Sequence, residues 1–110
     1  MSYEVASFRQ AQQVIASFVE RNQLEMPLEA RILDVVCELG ELTKVILSAT
    51  NYGSRPLVAS ERLDEEFGDV LFSLICVASL TGTDLESALR SALIKYAARI
   101  RDSGSPSSGK

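Results

Sequence analysis

Apolar residues recur along this chain at three- and four-residue steps, in four runs separated by turn-forming stretches. That is the period of amphipathic helices and not of strands. In the first run Val5, Phe8, Ala11, Ile15 and Phe18 share a face, with Arg9, Gln10, Gln12, Gln13, Glu20 and Arg21 on the other. The pattern predicts a helix that Ser2 caps and that ends near Asn22. Phe8 and Phe18 read as core residues on this periodicity rather than as platforms for a nucleobase. A link from Gln23 to Pro27 follows, and its proline suits the first turn of a helix, where a missing N–H costs nothing. The second helix is predicted from Leu28 to about Thr50. Its stripe of Ile32, Val35, Leu39, Leu42, Ile46 and Ala49 steps by 3, 4, 3, 4 and 3 residues, the seam of a helix packed at a shallow angle in a bundle.

Asn51-Tyr52-Gly53-Ser54-Arg55-Pro56 opens a loop that runs to about Ala59, and Arg55 reads there as a solvated loop residue. Ser60 caps the third predicted helix, whose first turns carry Glu61, Asp64, Glu65 and Glu66. Acids are favoured there by the helix dipole, an effect that fades before Asp69. From Val70 to Leu80 almost no polar face remains, and a helix apolar all round must be covered on more than one side. In a chain of four helices the extra cover is expected from a second copy, which predicts a homodimer at least. Gly82 is placed to end that helix, and Thr83-Asp84-Leu85-Glu86 has the form of a capping box opening the fourth. So short a turn predicts antiparallel neighbours. Leu85, Leu89, Ala92, Leu93, Tyr96 and Ile100 supply the last buried face. The expected fold is all-α, a four-helix antiparallel bundle over residues 1–102 that assembles as an obligate homo-oligomer, with a flexible polar tail at 103–110.

Two acidic segments inside these helices rhyme: Glu38-Leu39-Gly40-Glu41 and Glu66-Phe67-Gly68-Asp69. Acids at i and i+3 project from one helix face and repel, where ordinary helix design would pair an acid with a base. Each segment also holds a glycine, which costs about 1 kcal/mol relative to alanine inside a helix. Close approach of another backbone or a ligand is the usual compensation. If the two helices cross at Gly40 and Gly68, four carboxylates converge on one pocket. With no histidine in the chain, such a pocket suits a hard divalent cation, Mg²⁺ or Mn²⁺. A ferritin-like di-iron centre is excluded, because it requires Glu-x-x-His motifs. Oxygen-only coordination points to phosphate chemistry, in which paired cations activate water and neutralise phosphoryl oxygens. The bland alternative is two solvated helix faces that happen to carry paired acids.

Charge and composition narrow the partners. The formal net charge is −4, equal to that of the four carboxylates alone, so a basic surface for a nucleic acid polymer is not indicated. Cys37 and Cys76 both fall in predicted helices among apolar neighbours, which fits a reduced cytoplasmic protein better than a disulfide scaffold. Nothing at the N-terminus has the pattern of a signal peptide. The longest nearly apolar run, Val70 to Leu80, falls short of the roughly 20 residues that span a bilayer, so no membrane association is expected. Late in the fourth helix Lys95 and Arg99 lie one turn apart, placed either to complement the helix dipole or to bind phosphate.

The order Glu-x-x-Glu, 24 intervening residues (42–65), then Glu-x-x-Asp resembles the signature of the MazG-like all-α nucleotide pyrophosphohydrolases. These are relatives of the all-α dUTPases, dCTP pyrophosphatases and phosphoribosyl-ATP pyrophosphatase. The likeness extends through Glu38-Leu39-Gly40-Glu41-Leu42, Glu65-Glu66-Phe67-Gly68-Asp69-Val70-Leu71-Phe72 and Gly82-Thr83-Asp84-Leu85 to Lys95 and Arg99, roughly Leu28 to Arg101. It implies hydrolysis of a (deoxy)nucleoside triphosphate between its α and β phosphates, giving the monophosphate and pyrophosphate. Glu38, Glu41, Glu66 and Asp69 would hold Mg²⁺, or Mn²⁺ in its place, and Lys95 and Arg99 the β and γ phosphates. Glu38 would orient and deprotonate the water, with Glu65 a helper, in a dimeric or tetrameric helical assembly. Many relatives carry another acid just before the first pair, where this chain has Cys37. That departure favours the rival reading, a helical dimerisation module without catalysis; phosphoribosyl-ATP pyrophosphatase activity is the rival among enzymes.

Overall fold

The computed structural model describes residues 3–108. It is all-helical, with α1 at Phe8–Arg21, α2 at Leu28–Ala49, α3 at Glu61–Thr81 and α4 at Leu85–Ser103. The centre is the antiparallel pair of α2 and α3. Asp34 pairs with Ser73 near one end, and Leu42 and Val45 pack with Leu63 near the other. Partly buried Ile46 and Val70 extend this small core. α1 lies against α3, where Phe18 meets the ring of Phe72 edge-on at 6.1 Å between centroids.

The helix ends show what local chemistry decided. Ser7, extended, accepts from the Gln10 N–H and starts α1. The predicted cap, Ser2, lies outside the described residues, and Val5 precedes the helix instead of sharing its apolar face. Ser60 caps α3 as expected, accepting from the Leu63 N–H. Gly82 ends that helix in the left-handed region at φ +69°, where a side chain would be strained. The cap of α4 is Asp84, one residue later than the predicted Thr83, and its carboxylate accepts from the Glu86 N–H. Arg55 is an exposed loop residue as expected, and from there it donates to the carbonyls of Ala49 and Ser48 at the end of α2.

α3 and α4 are not antiparallel neighbours. Their axes turn through 98° at the short connection, and α4 is tied to α1 instead. Arg9 donates to Asp84 at 2.8 Å and lies 3.5 Å from Glu86, while Gln12 bridges the Thr83 carbonyl and the Leu85 N–H. α4 buries none of its residues: of the predicted buried face Leu89, Leu93, Tyr96 and Ile100 are exposed, and Leu85 and Ala92 are half-buried. The arm makes the chain extended: its radius of gyration is 16.9 Å, against about 13 Å for a compact chain of 100 residues. No single helix is long and apolar enough to cross a membrane among the described residues.

Arg31 locks α2 to its surroundings. It is 5% exposed, donates to the Leu24 carbonyl at 2.8 Å and to Asp34 at 3.4 Å, and lies over the Phe72 ring at 5.9 Å. Arg31→Met retains volume but removes the donor to the Leu24 carbonyl and leaves Asp34 with Ser73 alone. It is expected to destabilise the chain by about 2 kcal/mol, measured by urea unfolding.

Candidate metal centre

Opposite each other across the α2–α3 seam stand Glu38 from α2 and Glu66 and Asp69 from α3. One carboxylate oxygen from each lies within 4.8 Å of the other two. Glu66 and Asp69 are three residues apart, so a single helix face presents both. Glu38 reaches them because the antiparallel pairing puts its turn of α2 beside that turn of α3. An octahedral Mg²⁺ has metal–oxygen bonds of about 2.1 Å, so its ligand oxygens lie about 3 to 4.2 Å apart. The trio fits after small side-chain rotations, and its donor set, all carboxylate, is the one a hard cation prefers.

The charge crowding acts on Glu38. Partial burial pushes the Glu38 carboxyl above its ordinary range, and the charges of Asp69, Asp34, Glu66 and Glu41 push it further, in that order. A carboxyl raised in the folded chain ionises at a cost to folding, so stability falls as the pH climbs from the unfolded to the folded pKa. The penalty then persists at neutral pH. Without divalent cation, Glu38→Gln is therefore expected to raise the melting temperature by a few degrees at neutral pH. The gain should disappear at about pH 4 and below, where both states carry the proton.

The remaining acids of the sequence pattern sit around the trio. Glu41 is one turn further along α2 and exposed, outside the three-oxygen group but close enough for its charge to act on Glu38. Glu65 is exposed and Cys37 is an exposed free thiol. Lys95 and Arg99 stand on the α4 arm. The Lys95 ammonium lies 5.0 Å from the centre of the Tyr96 ring, and Arg99 donates to the Pro106 carbonyl at 3.2 Å. Pattern reading did not single out Asp34. It lies one turn before Glu38 on the same face, accepts from the buried Ser73 hydroxyl at 2.9 Å and from Arg31, and fixes the α2–α3 spacing beside the trio. The spacings Asp34–Glu38 and Asp69–Ser73, each four residues, were the available signal.

Gly40 and Gly68 do not mark a close crossing. A Cβ built on either would meet nothing within 4 Å, so contact between the helices accounts for neither glycine, and the trio forms by side-chain reach alone.

An all-α chain whose central antiparallel helices carry an oxygen-only acidic centre defines the class of this protein. The sequence profile of the MazG nucleotide pyrophosphohydrolase domain matches residues 28–103, from the first turn of α2 to the end of α4, and the chain belongs to that family. It is 34% identical over 91 residues to the uncharacterized protein YpjD of Bacillus subtilis (strain 168), covering 80% of this chain and 78% of YpjD. No solved structure matches the chain. Membership implies nucleotide pyrophosphohydrolase activity with a divalent metal.

Proposed function

We propose that this protein is a Mg²⁺-dependent pyrophosphohydrolase that converts a (deoxy)nucleoside triphosphate to the monophosphate and pyrophosphate. The observation that carries the reading is the convergence of Glu38, Glu66 and Asp69 from two helices on one cation-sized space, in a chain of this family. When bound, Mg²⁺ supplies positive charge to the phosphoryl oxygens and to the attacking water. Glu66 and Asp69 would hold it from α3 and Glu38 from α2, with Glu41, one turn on, as a further ligand. Glu38 is also the group that would accept the proton of the water whose oxygen attacks one phosphorus of the α–β bridge. The bridge breaks, giving the monophosphate and pyrophosphate.

A second copy completes the protein in this reading. Leu89, Leu93, Tyr96 and Ile100 make an exposed apolar stripe on α4, and Phe67, Leu71 and Leu74 another on α3. Stripes on this scale mark an association surface. Lys95 and Arg99 share the α4 arm, so assembly is the route by which they come to a neighbour's trio and its substrate phosphates. The protein works in the cytoplasm on free nucleotides, with Mn²⁺ able to replace Mg²⁺.

Pyrophosphate release from a panel of ordinary and damaged dNTPs, with phosphoribosyl-ATP alongside, tests the reading. Release from at least one nucleoside triphosphate, abolished by EDTA, is expected. Turnover of phosphoribosyl-ATP alone moves the protein to the related activity, and an inert chain on every substrate with Mg²⁺ and Mn²⁺ supports the non-catalytic dimerisation module.

A further inference from the structure

The acidic trio is the middle of a longer track. Along α3, Arg62, Glu66, Asp69, Ser73 and Cys76 follow one another at steps of 4, 3, 4 and 3, and along α2 Arg31, Asp34, Glu38, Glu41, Val45 and Ser48 keep the same face. At each end of this seam the surface is hollow. Beyond Glu66 a cavity of about 330 Å³ is lined by Lys44, Val45, Ser48, Ala49, Ser60 and Arg62. Beyond Ser73 a cavity of about 190 Å³ is walled mainly by apolar groups, among them Ile15, Val19 and Leu80, with Cys76 and the polar Glu25, Arg31 and Ser79 also in its lining. One end is basic and polar, the other largely apolar.

The basic end has the chemistry of a phosphate site. Neither Lys44 nor Arg62 has an acid within ion-pair distance among the described residues. Both side chains are exposed and free to turn into the hollow. Ser60 spends its oxygen lone pair on the Leu63 N–H and keeps its own O–H to donate. The cavity opens at the start of α3, where the dipole favours an anion. Glu61 and Asp64 share that first turn but do not line the hollow. Helix rise puts Arg62 about 6 Å from Glu66 and Lys44 about 9 Å from Glu38 along the axes. A planar guanidinium and a flexible ammonium on opposite walls suit a doubly charged oxyanion between them.

We propose that Lys44 and Arg62 form the subsite for the leaving pyrophosphate, so that the substrate lies along the α2–α3 seam. Its terminal phosphates point to the Ser60 end and its nucleoside to the apolar hollow beside Cys76. This inference rests on the pyrophosphohydrolase reading for its substrate. It assigns to residues of the same chain a grip on the phosphate tail that Lys95 and Arg99 would supply from the α4 arm.

Binding of inorganic pyrophosphate in the presence of Mg²⁺, followed by calorimetry, tests it without relying on turnover. Lys44→Gln and Arg62→Gln are each expected to weaken pyrophosphate about tenfold or more, the loss of one charge-assisted hydrogen bond. The same variants should leave inhibition by a nucleoside monophosphate within about twofold, and Lys44→Arg should retain most of the affinity. Both positions are exposed, so folding is not at issue. Pyrophosphate affinity unchanged in the double variant, or lost only in Lys95→Gln and Arg99→Gln, overturns the subsite. So does a parent protein that binds no pyrophosphate with Mg²⁺. A parent that hydrolyses no nucleotide yet binds pyrophosphate through Lys44 and Arg62 retains the subsite and refutes the activity.

Discussion

Asp69→Asn is expected to lower kcat/KM for pyrophosphate release by about a thousandfold or more, and Glu38→Gln by at least as much. Asp69 contributes one of only three oxygens gathered within 4.8 Å. Removing its charge weakens the hold on the cation while the substrate phosphates still bring theirs, so the loss falls on the transition state. Such a loss corresponds to about 4 kcal/mol. In the proposed mechanism Glu38→Gln removes a ligand and the proton acceptor together, so its effect should not be recovered by saturating Mg²⁺, whereas part of the Asp69→Asn loss should. Glu41→Gln is expected to cost less than either, because the Glu41 carboxylate has to swing in from the next turn. Folding supplies the control. Each substitution removes a like charge from a crowded cluster, so the metal-free variants should melt no lower than the parent.

Leu93→Glu is expected to break the assembly. Leu93 is 61% exposed in the single chain and sits mid-stripe on α4, between Leu89 and Tyr96. Burying one leucine contributes about 2 kcal/mol. In a two-fold contact each change counts twice, so the dissociation constant should rise about a thousandfold. Light scattering at micromolar concentration should show an oligomer for the parent and a monomer for the variant, with helical circular dichroism retained. Activity should fall with assembly if, as proposed, Lys95 and Arg99 serve the neighbouring site. A parent that is monomeric under the same conditions contradicts the proposed assembly.

Period and caps made most of the helices legible in the sequence. Pro27, Ser60 and Gly82 stand at the boundaries the pattern predicts, because a cap is chemistry between residues three or four apart. The acidic pairs were visible for the same reason, since i and i+3 on a helix are neighbours whatever the rest of the chain does. The direction of α4 was not visible. A short turn fixes proximity and leaves the angle open, and that angle is set by Arg9 and Gln12 reaching Asp84, Thr83 and Leu85, contacts more than 70 residues apart in sequence. Asp34 was missed because its partner, Ser73, lies 39 residues away. Gly40 and Gly68 mislead for another reason: a glycine's cost in a helix does not require a tight crossing, and both glycines face open space.

Titration of the metal-free protein with Mn²⁺, read by calorimetry and by the electron paramagnetic resonance of the free ion, is the most direct test that α2 and α3 grip one cation between them. The parent is expected to take up Mn²⁺ with micromolar to submillimolar affinity and to release it to excess Mg²⁺. Glu38→Gln on one helix and Glu66→Gln on the other should each weaken binding at least about tenfold. Mn²⁺ bound equally well after both substitutions, or not bound by the parent at neutral pH, contradicts the account.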